Sequence, residues 1–244
     1  MKRPNVLIIV PCYHSKKYIK RCCDGILAQT YTNWDAVFVI DDPTYDDTIK
    51  KINNYHQCKF LVSINVNRTT CASARNKGYH MLSYSDYVVF LDSDDWMEPS
   101  RLQKQVQYME MHPDVEWVSS LVYFKDSVID NKPGSSANPS GITSVMFRRK
   151  YLEQIKQRTG YIFRPTMKRY DDYDLVMRIR GAKSGHIKEP LTTLFDNPEG
   201  LSRTQHPFCG NLILLQCVIR NKQWDIMLPT SIGMAQSIFI RGSE

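Results

Sequence analysis

The chain lacks any apolar run long enough to cross a bilayer. Its longest late run, Leu212 to Leu215 with Val218 and Ile219 beyond, falls far short of the roughly 20 residues a membrane helix needs. No charged, apolar and cleavage-site pattern precedes the first strand at Val6, so no secretory leader is expected. The seven cysteines form an odd set with no C-x-x-C pair, which argues against a disulfide framework and against a zinc site. A reducing cytoplasmic setting is the expectation. The six histidines show no metal-ligand spacing. No block of Lys and Arg interleaved with aromatics marks a nucleic-acid face. The loop after the first strand, Pro11-Cys12-Tyr13-His14-Ser15, has no glycine, so it cannot cradle a triphosphate as a sugar-nucleotide-forming nucleotidyltransferase would. Repeats and low-complexity tracts are absent.

What is present is an ordinary globular composition over 244 residues, enough for one sizeable α/β core. A net charge of +7 suits anionic ligands or an anionic membrane surface, and equally suits plain solubility. Strands are expected at Val6–Val10, Ala36–Ile40, Phe60–Asn65 and Val88–Leu91. Between them, helical spacing recurs at Tyr18, Ile19, Cys22, Cys23, Ile26 and Leu27, at Thr48–Tyr55 and at Ala72–Leu82. Pro99 and Ser100 open a further helix in which Leu102, Val106 and Met109 share a face. Such alternation predicts a parallel sheet with right-handed crossovers and helices on both faces. The second half is less regular. Trp117–Phe124 reads as a strand, Asp130–Gly141 as an exposed loop, and Val145–Phe147 as a lead into a helix at Lys150–Gln157. A further helix spans about Asp172–Arg180, followed by strand-like Thr192–Phe195.

The most informative stretch is Tyr87-Val88-Val89-Phe90-Leu91-Asp92-Ser93-Asp94-Asp95. A buried strand ends in three crowded carboxylates, at the strand end where α/β proteins bind ligands. Their mutual repulsion is tolerable around a hard cation such as Mg2+ or Mn2+, which one or two carboxylates and phosphate oxygens hold. Read alone, the triplet is either a metal-diphosphate site or a solvated acidic turn before the next helix.

Four further pieces stand in register with it: Val10-Pro11-Cys12-Tyr13, Ile40-Asp41-Asp42, Ala74-Arg75-Asn76 and Tyr170-Asp171-Asp172-Tyr173-Asp174-Leu175. Singly these are ordinary turns, a surface arginine, or acids that a helix dipole favours. In this order they resemble glycosyltransferase family 2, inverting nucleotide-sugar transferases of the GT-A fold, over roughly residues 4 to 205. The resemblance implies an α/β, Rossmann-like, mostly parallel sheet. It divides the domain 1–205 into a donor-binding half (about 1–98) and an acceptor-side half (about 99–205), with 206–244 a helical extension.

The resemblance also implies roles. Pro11 and Tyr13 would line the base pocket, Tyr13 by stacking. Asp42, backed by Asp41, would accept from a uracil-type ring. Arg75 would face the donor diphosphate. Asp92 would lie near the ribose, Asp94 would ligate Mn2+ or Mg2+, and Asp95 would support it. Asp172 would be the catalytic base, with Asp171 before it. Its carboxyl should be raised by Asp171, Asp174 and partial burial, since a free Asp near 3.9 is a poor base at neutral pH. Arg203, in Leu201-Ser202-Arg203, would belong to a late loop over the donor. The implied partners are a nucleotide-sugar donor, UDP-linked, and a glycan or lipid-linked acceptor, reached by loose contact at an inner membrane face. Asp41-Asp42-Pro43-Thr44 departs from the usual Asp-Asp-Gly-Ser. The Q-x-x-R-W signature of processive synthases is absent, which argues for one sugar per encounter. The alternative is a catalytically inactive nucleotide-sugar or glycan-binding module of the same fold.

Overall fold

β-branched and aromatic residues dominate the strands of the first half, and they are apolar on both faces, as a covered parallel sheet requires. In a computed structural model of the chain these form β1 (Val6–Cys12), β2 (Trp34–Ile40), β3 (Phe60–Ile64) and β4 (Tyr87–Phe90). The structure describes residues 3–41, 45–55, 60–64, 69–130 and 141–198. β1 pairs in parallel with β2, Val6 opposite Trp34 through Cys12 opposite Ile40, and with β4; β2 pairs in parallel with β3.

The remaining strands are β5 (Trp96–Met97), β6 (Trp117–Phe124), β7 (Ser127–Asp130), β8 (Met146–Arg148) and β9 (Ser184–Leu194). The sheet runs β3-β2-β1-β4-β8-β6-β9-β5, with β7 added alongside β6. Direction changes at β8, which is antiparallel to both β4 and β6, and parallel pairing returns between β6 and β9. β8 is therefore the strand at which the sheet changes direction.

Among the described residues six helices cover the sheet: α1 (Ile19–Leu27), α2 (Tyr45–Asn53), α3 (Cys71–Met81), α4 (Arg101–Met111), α5 (Arg149–Thr159) and α6 (Asp171–Ile179). The two-residue period of β1 divides them. Val6, Ile8, Val10 and Cys12 pack with Ile19, Cys22, Ile26, Ile52, Leu102 and Met109 of α1, α2 and α4. Leu7 and Ile9 point the other way, into a core with Ala74 and Tyr79 of α3, Leu152 of α5 and Val176 of α6.

The α/β class and helices on both faces agree with the sequence reading. β5 and β7 were not expected, and β9 is much longer than Thr192–Phe195. Its middle, Lys188-Glu189-Pro190, is polar, and its pairing with β6 shifts register on either side of Leu121. A bulge of this kind breaks the alternation that sequence reading relies on. Residues 131–140 of the expected loop and the extension 206–244 lie outside the described residues. No helix among the described residues is long and apolar enough to cross a membrane.

Candidate active site

Parallel register brings the carboxyl ends of β1, β2 and β4 to one edge, so Pro11, Asp41 and Asp92 emerge side by side. Pro11 is buried within β1, opposite Val39. Tyr13 is half-buried, its ring edge-on to His14 at 4.1 Å between centroids, where His14 turns the chain with a positive φ of 52°. Asp41 is buried and faces inward. It accepts from the Thr69 backbone N–H at 2.8 and 2.9 Å and from Thr69 Oγ1 at 3.1 Å. This fixes the approach to α3, whose N-cap is Thr70 accepting from Ser73 N–H at 3.1 Å. Asp42 and Arg203 lie outside the described residues.

The three carboxylates after β4 have separate surroundings. A tight turn, closed by Asp95 N–H donating to the Asp92 carbonyl at 3.1 Å, points them apart. Asp95 is turned inward, accepting from Thr143 Oγ1 at 3.1 Å and Phe195 N–H at 3.3 Å. Burial, then the charges of Asp92 and Asp94, push its carboxyl well up. Asp94 is half-buried and accepts from Asn197 Nδ2 at 2.7 Å; burial and then Asp92 raise its carboxyl too. The side chain of Asp92 remains 42% exposed.

Arg21 of α1 escapes sequence reading. Its guanidinium donates to the Asp94 carbonyl and stacks on Phe195 at 3.4 Å from the ring centroid. An exposed-looking arginine in an amphipathic helix carries no signal of a partner 73 positions away.

Arg75 joins the triplet to α6. Its Nη2 lies 2.7 Å from Asp92 Oδ1 and its Nη1 2.7 Å from Asp171 Oδ2. The chain enters α6 through Tyr170, in the left-handed region at φ 57°, which turns Asp171, Asp172 and Asp174 onto the first turn. Asp172 is half-buried and accepts from the Tyr173 N–H at 2.8 Å. Burial, then the charge of Asp171, push its carboxyl up to about 6, with Asp92 adding to the rise and Arg75 opposing it. Asp174, expected to contribute repulsion, is instead held between Arg164 at 3.4 Å and Arg178 at 3.1 Å.

The donor set fits a hard divalent cation. Asp94 offers an oxygen whose ionisation is hindered by burial and by Asp92, a penalty that a nearby cation offsets. Among the described residues no three His, Cys, Asp or Glu side chains form a preassembled cage. A cation held here would take one or two carboxylates and complete its shell with phosphate and water oxygens. A separate concavity of about 430 Å³, lined by Asp114, Glu116, Tyr151, Arg158 and Lys183 among others, includes no triplet residue.

The sequence profile of glycosyl transferase family 2 matches residues 7–180, spanning all five motifs. The chain belongs to glycosyltransferase family 2. It is 25% identical over 247 residues to the putative glycosyltransferase EpsE of Bacillus subtilis, covering 93% of this chain and 85% of that one. It is 32% identical over 104 residues to the Escherichia coli UDP-Glc:alpha-D-GlcNAc-diphosphoundecaprenol beta-1,3-glucosyltransferase WfgD, covering 43% and 40%. An uncharacterised glycosyltransferase of Methanocaldococcus jannaschii is 33% identical over 129 residues, covering 52% of this chain and 44% of that protein. The match thus spans less than half the length of the last two of these relatives. Two solved structures share the fold of this family 2 chain. Staphylococcus aureus TarS 1–349 in complex with UDP-GlcNAc has a TM-score of 0.73 at 15% identity, covering 96% of this chain and 71% of that one. The mannosyltransferase PcManGT from Pyrobaculum calidifontis, in complex with GDP-Man and Mn2+, has a TM-score of 0.69 at 17% identity, covering 97% and 74%.

Proposed function

We propose that the protein moves one sugar from a UDP-linked donor to a hydroxyl of a glycan or lipid-linked acceptor, with inversion at the anomeric carbon. The observation that carries this reading is the Arg75 bridge, which sets the turn bearing Asp92 and Asp94 beside the helix end bearing Asp172. A leaving diphosphate and an acceptor base need that proximity. Family membership supplies the reaction class. The UDP assignment draws on WfgD, named for UDP-Glc, and on TarS, solved in complex with UDP-GlcNAc, and the acceptor class on the diphosphoundecaprenol-linked sugar named for WfgD. A net charge of +7 suits contact with the anionic surface on which a lipid-linked acceptor resides.

In this reading Pro11 and Tyr13 line the base pocket and Asp42 accepts from the base. Asp92 meets the ribose, Asp95 holds the turn, and Arg203 belongs to a loop over the donor. Asp94 would hold Mn2+ or Mg2+, which when bound stabilises the charge developing on the leaving diphosphate as a Lewis acid. The acceptor oxygen attacks the anomeric carbon while the bond from that carbon to the diphosphate oxygen breaks. The hydroxyl proton passes to Asp172, and the electron pair leaves with the nucleoside diphosphate. Asp172 is suited to this by a carboxyl near 6, basic enough to take a proton yet ionised at neutral pH.

The test is Asp172→Asn with a UDP-sugar panel. Transfer or donor hydrolysis should fall about 10²–10⁴-fold while UDP binding persists. A wild-type chain that binds UDP but neither transfers nor hydrolyses any donor would instead identify an inactive binding module.

A further inference from the structure

Arg75 sits where a diphosphate-binding arginine is expected from sequence, yet its surroundings suit another task. The side chain is only 6% exposed. Both terminal nitrogens are committed at 2.7 Å, one to Asp92 and one to Asp171. One face of the guanidinium lies toward Phe163, 5.3 Å from the ring centroid, and Nε is buried with no hydrogen-bond partner. Phe163 is itself fixed, because Asn76 donates to its carbonyl at 2.6 Å and accepts from its N–H at 3.0 Å. Arg75 and Asn76, neighbours on α3, thus grip the turn after β4 and the segment leading to α6 together.

From this geometry we infer that Arg75 is a positioning residue: it locks the Asp92 turn to the head of α6, fixing Asp172 relative to the donor sugar, and does not hold the diphosphate. Two carboxylates on separate elements demand a planar fork with two donor nitrogens. The single ammonium of lysine cannot satisfy both in this geometry. The buried Asp171 is the second half of the lock, since its side chain is also only 6% exposed and Arg75 is its charge partner. Breaking one side leaves the other carboxylate buried without compensation. This role rests on the reading of Asp172 as the base, and the experiment separates the two.

The test uses full-length Arg75→Lys, read by steady-state kinetics, by UDP and UMP titration, and by amide hydrogen exchange. The expected result is a fall in kcat of about 10–100-fold, the effect of a misplaced base. KM for the donor and affinity for both nucleotides should change less than about threefold, within the spread of an indirect effect. Exchange across residues 171–175 should accelerate while β4 stays protected. UDP affinity that falls about tenfold or more with UMP affinity unchanged would overturn the inference and return Arg75 to the β-phosphate, since tenfold is the loss of about one phosphate contact. Unchanged exchange at the head of α6 would also overturn it, whether or not turnover is found. Absence of turnover in the wild type, with exchange still accelerated in Arg75→Lys, would sink the transferase reading and leave the lock standing. Should Arg75→Lys fail to fold, the charge-balanced pair Arg75→Gln with Asp171→Asn takes its place, with the same kinetic split expected.

Discussion

At Asp172, burial and the charge of Asp171 act in the same direction and push the carboxyl up to about 6. The base proposed here must be ionised to work, so kcat should rise with pH on an acid limb near that value. Asp171→Asn removes the repelling charge and leaves Arg75 less neutralised, so the limb should move to lower pH, as a pH–rate profile would show. The stability sign follows from the same shift. The folded carboxyl titrates above its ordinary value, so the protonated form is the one the fold favours, and stability is lost as pH rises through about 6. Asp172→Asn should therefore melt higher than wild type at pH 7–8, and the difference should shrink toward pH 4. A variant that melts lower at pH 8 would contradict the sign. The acids themselves were legible in the sequence because Asp-Asp at a helix start is a local pattern. That Asp174 is neutralised by Arg164 and Arg178 was not, since Arg164 comes from the preceding loop and meets it only through folding.

The elements owe their positions to close packing as well as pattern. On α3, a Cβ at Gly78 would lie 2.6 Å from Ile9 Cγ2 and 3.2 Å from Val39 Cγ2, both branched side chains anchored in the sheet. The helix rests on β1 and β2 at that point, which holds Arg75 one turn earlier at its level above the sheet edge. Gly78→Ala gains up to about 1 kcal/mol of helix propensity but overpacks a core at a typical cost of about 1–3 kcal/mol. The expected net result is a Tm lowered by a few degrees, measured by thermal unfolding, with some loss of activity as α3 shifts. Strands and helices of the first half were readable because each has one uninterrupted period. β5, with two residues, and β9, with its register shifts against β6, have none long enough to detect.

For the molecule as a whole, β8 joins the first four strands to the later ones, and early and late segments meet again at the triplet, where Thr143 and Phe195 grip Asp95. A donor lying across this junction should stabilise the segments on either side at once. UDP with Mn2+ at about 100 times its dissociation constant should add roughly 2.7 kcal/mol, a Tm rise on the order of 5–10 °C for a chain of this size. The rise should require the metal and vanish in Asp94→Ala; a metal-independent rise would remove Asp94 from the ligand set.

The sequence alone determined the family and the α/β class and singled out the acids after β4 and at the head of α6, because strand period and short motifs are local and survive in one dimension. Only the tertiary structure decided how the acids divide their labour. Asp95 turns inward and Asp94 meets Asn197. Asp92 reaches α6 through an arginine 17 positions before it and 96 before Asp171. Such assignments depend on which charges a fold buries together, and burial and charge pairing between distant residues leave no periodic trace in the chain.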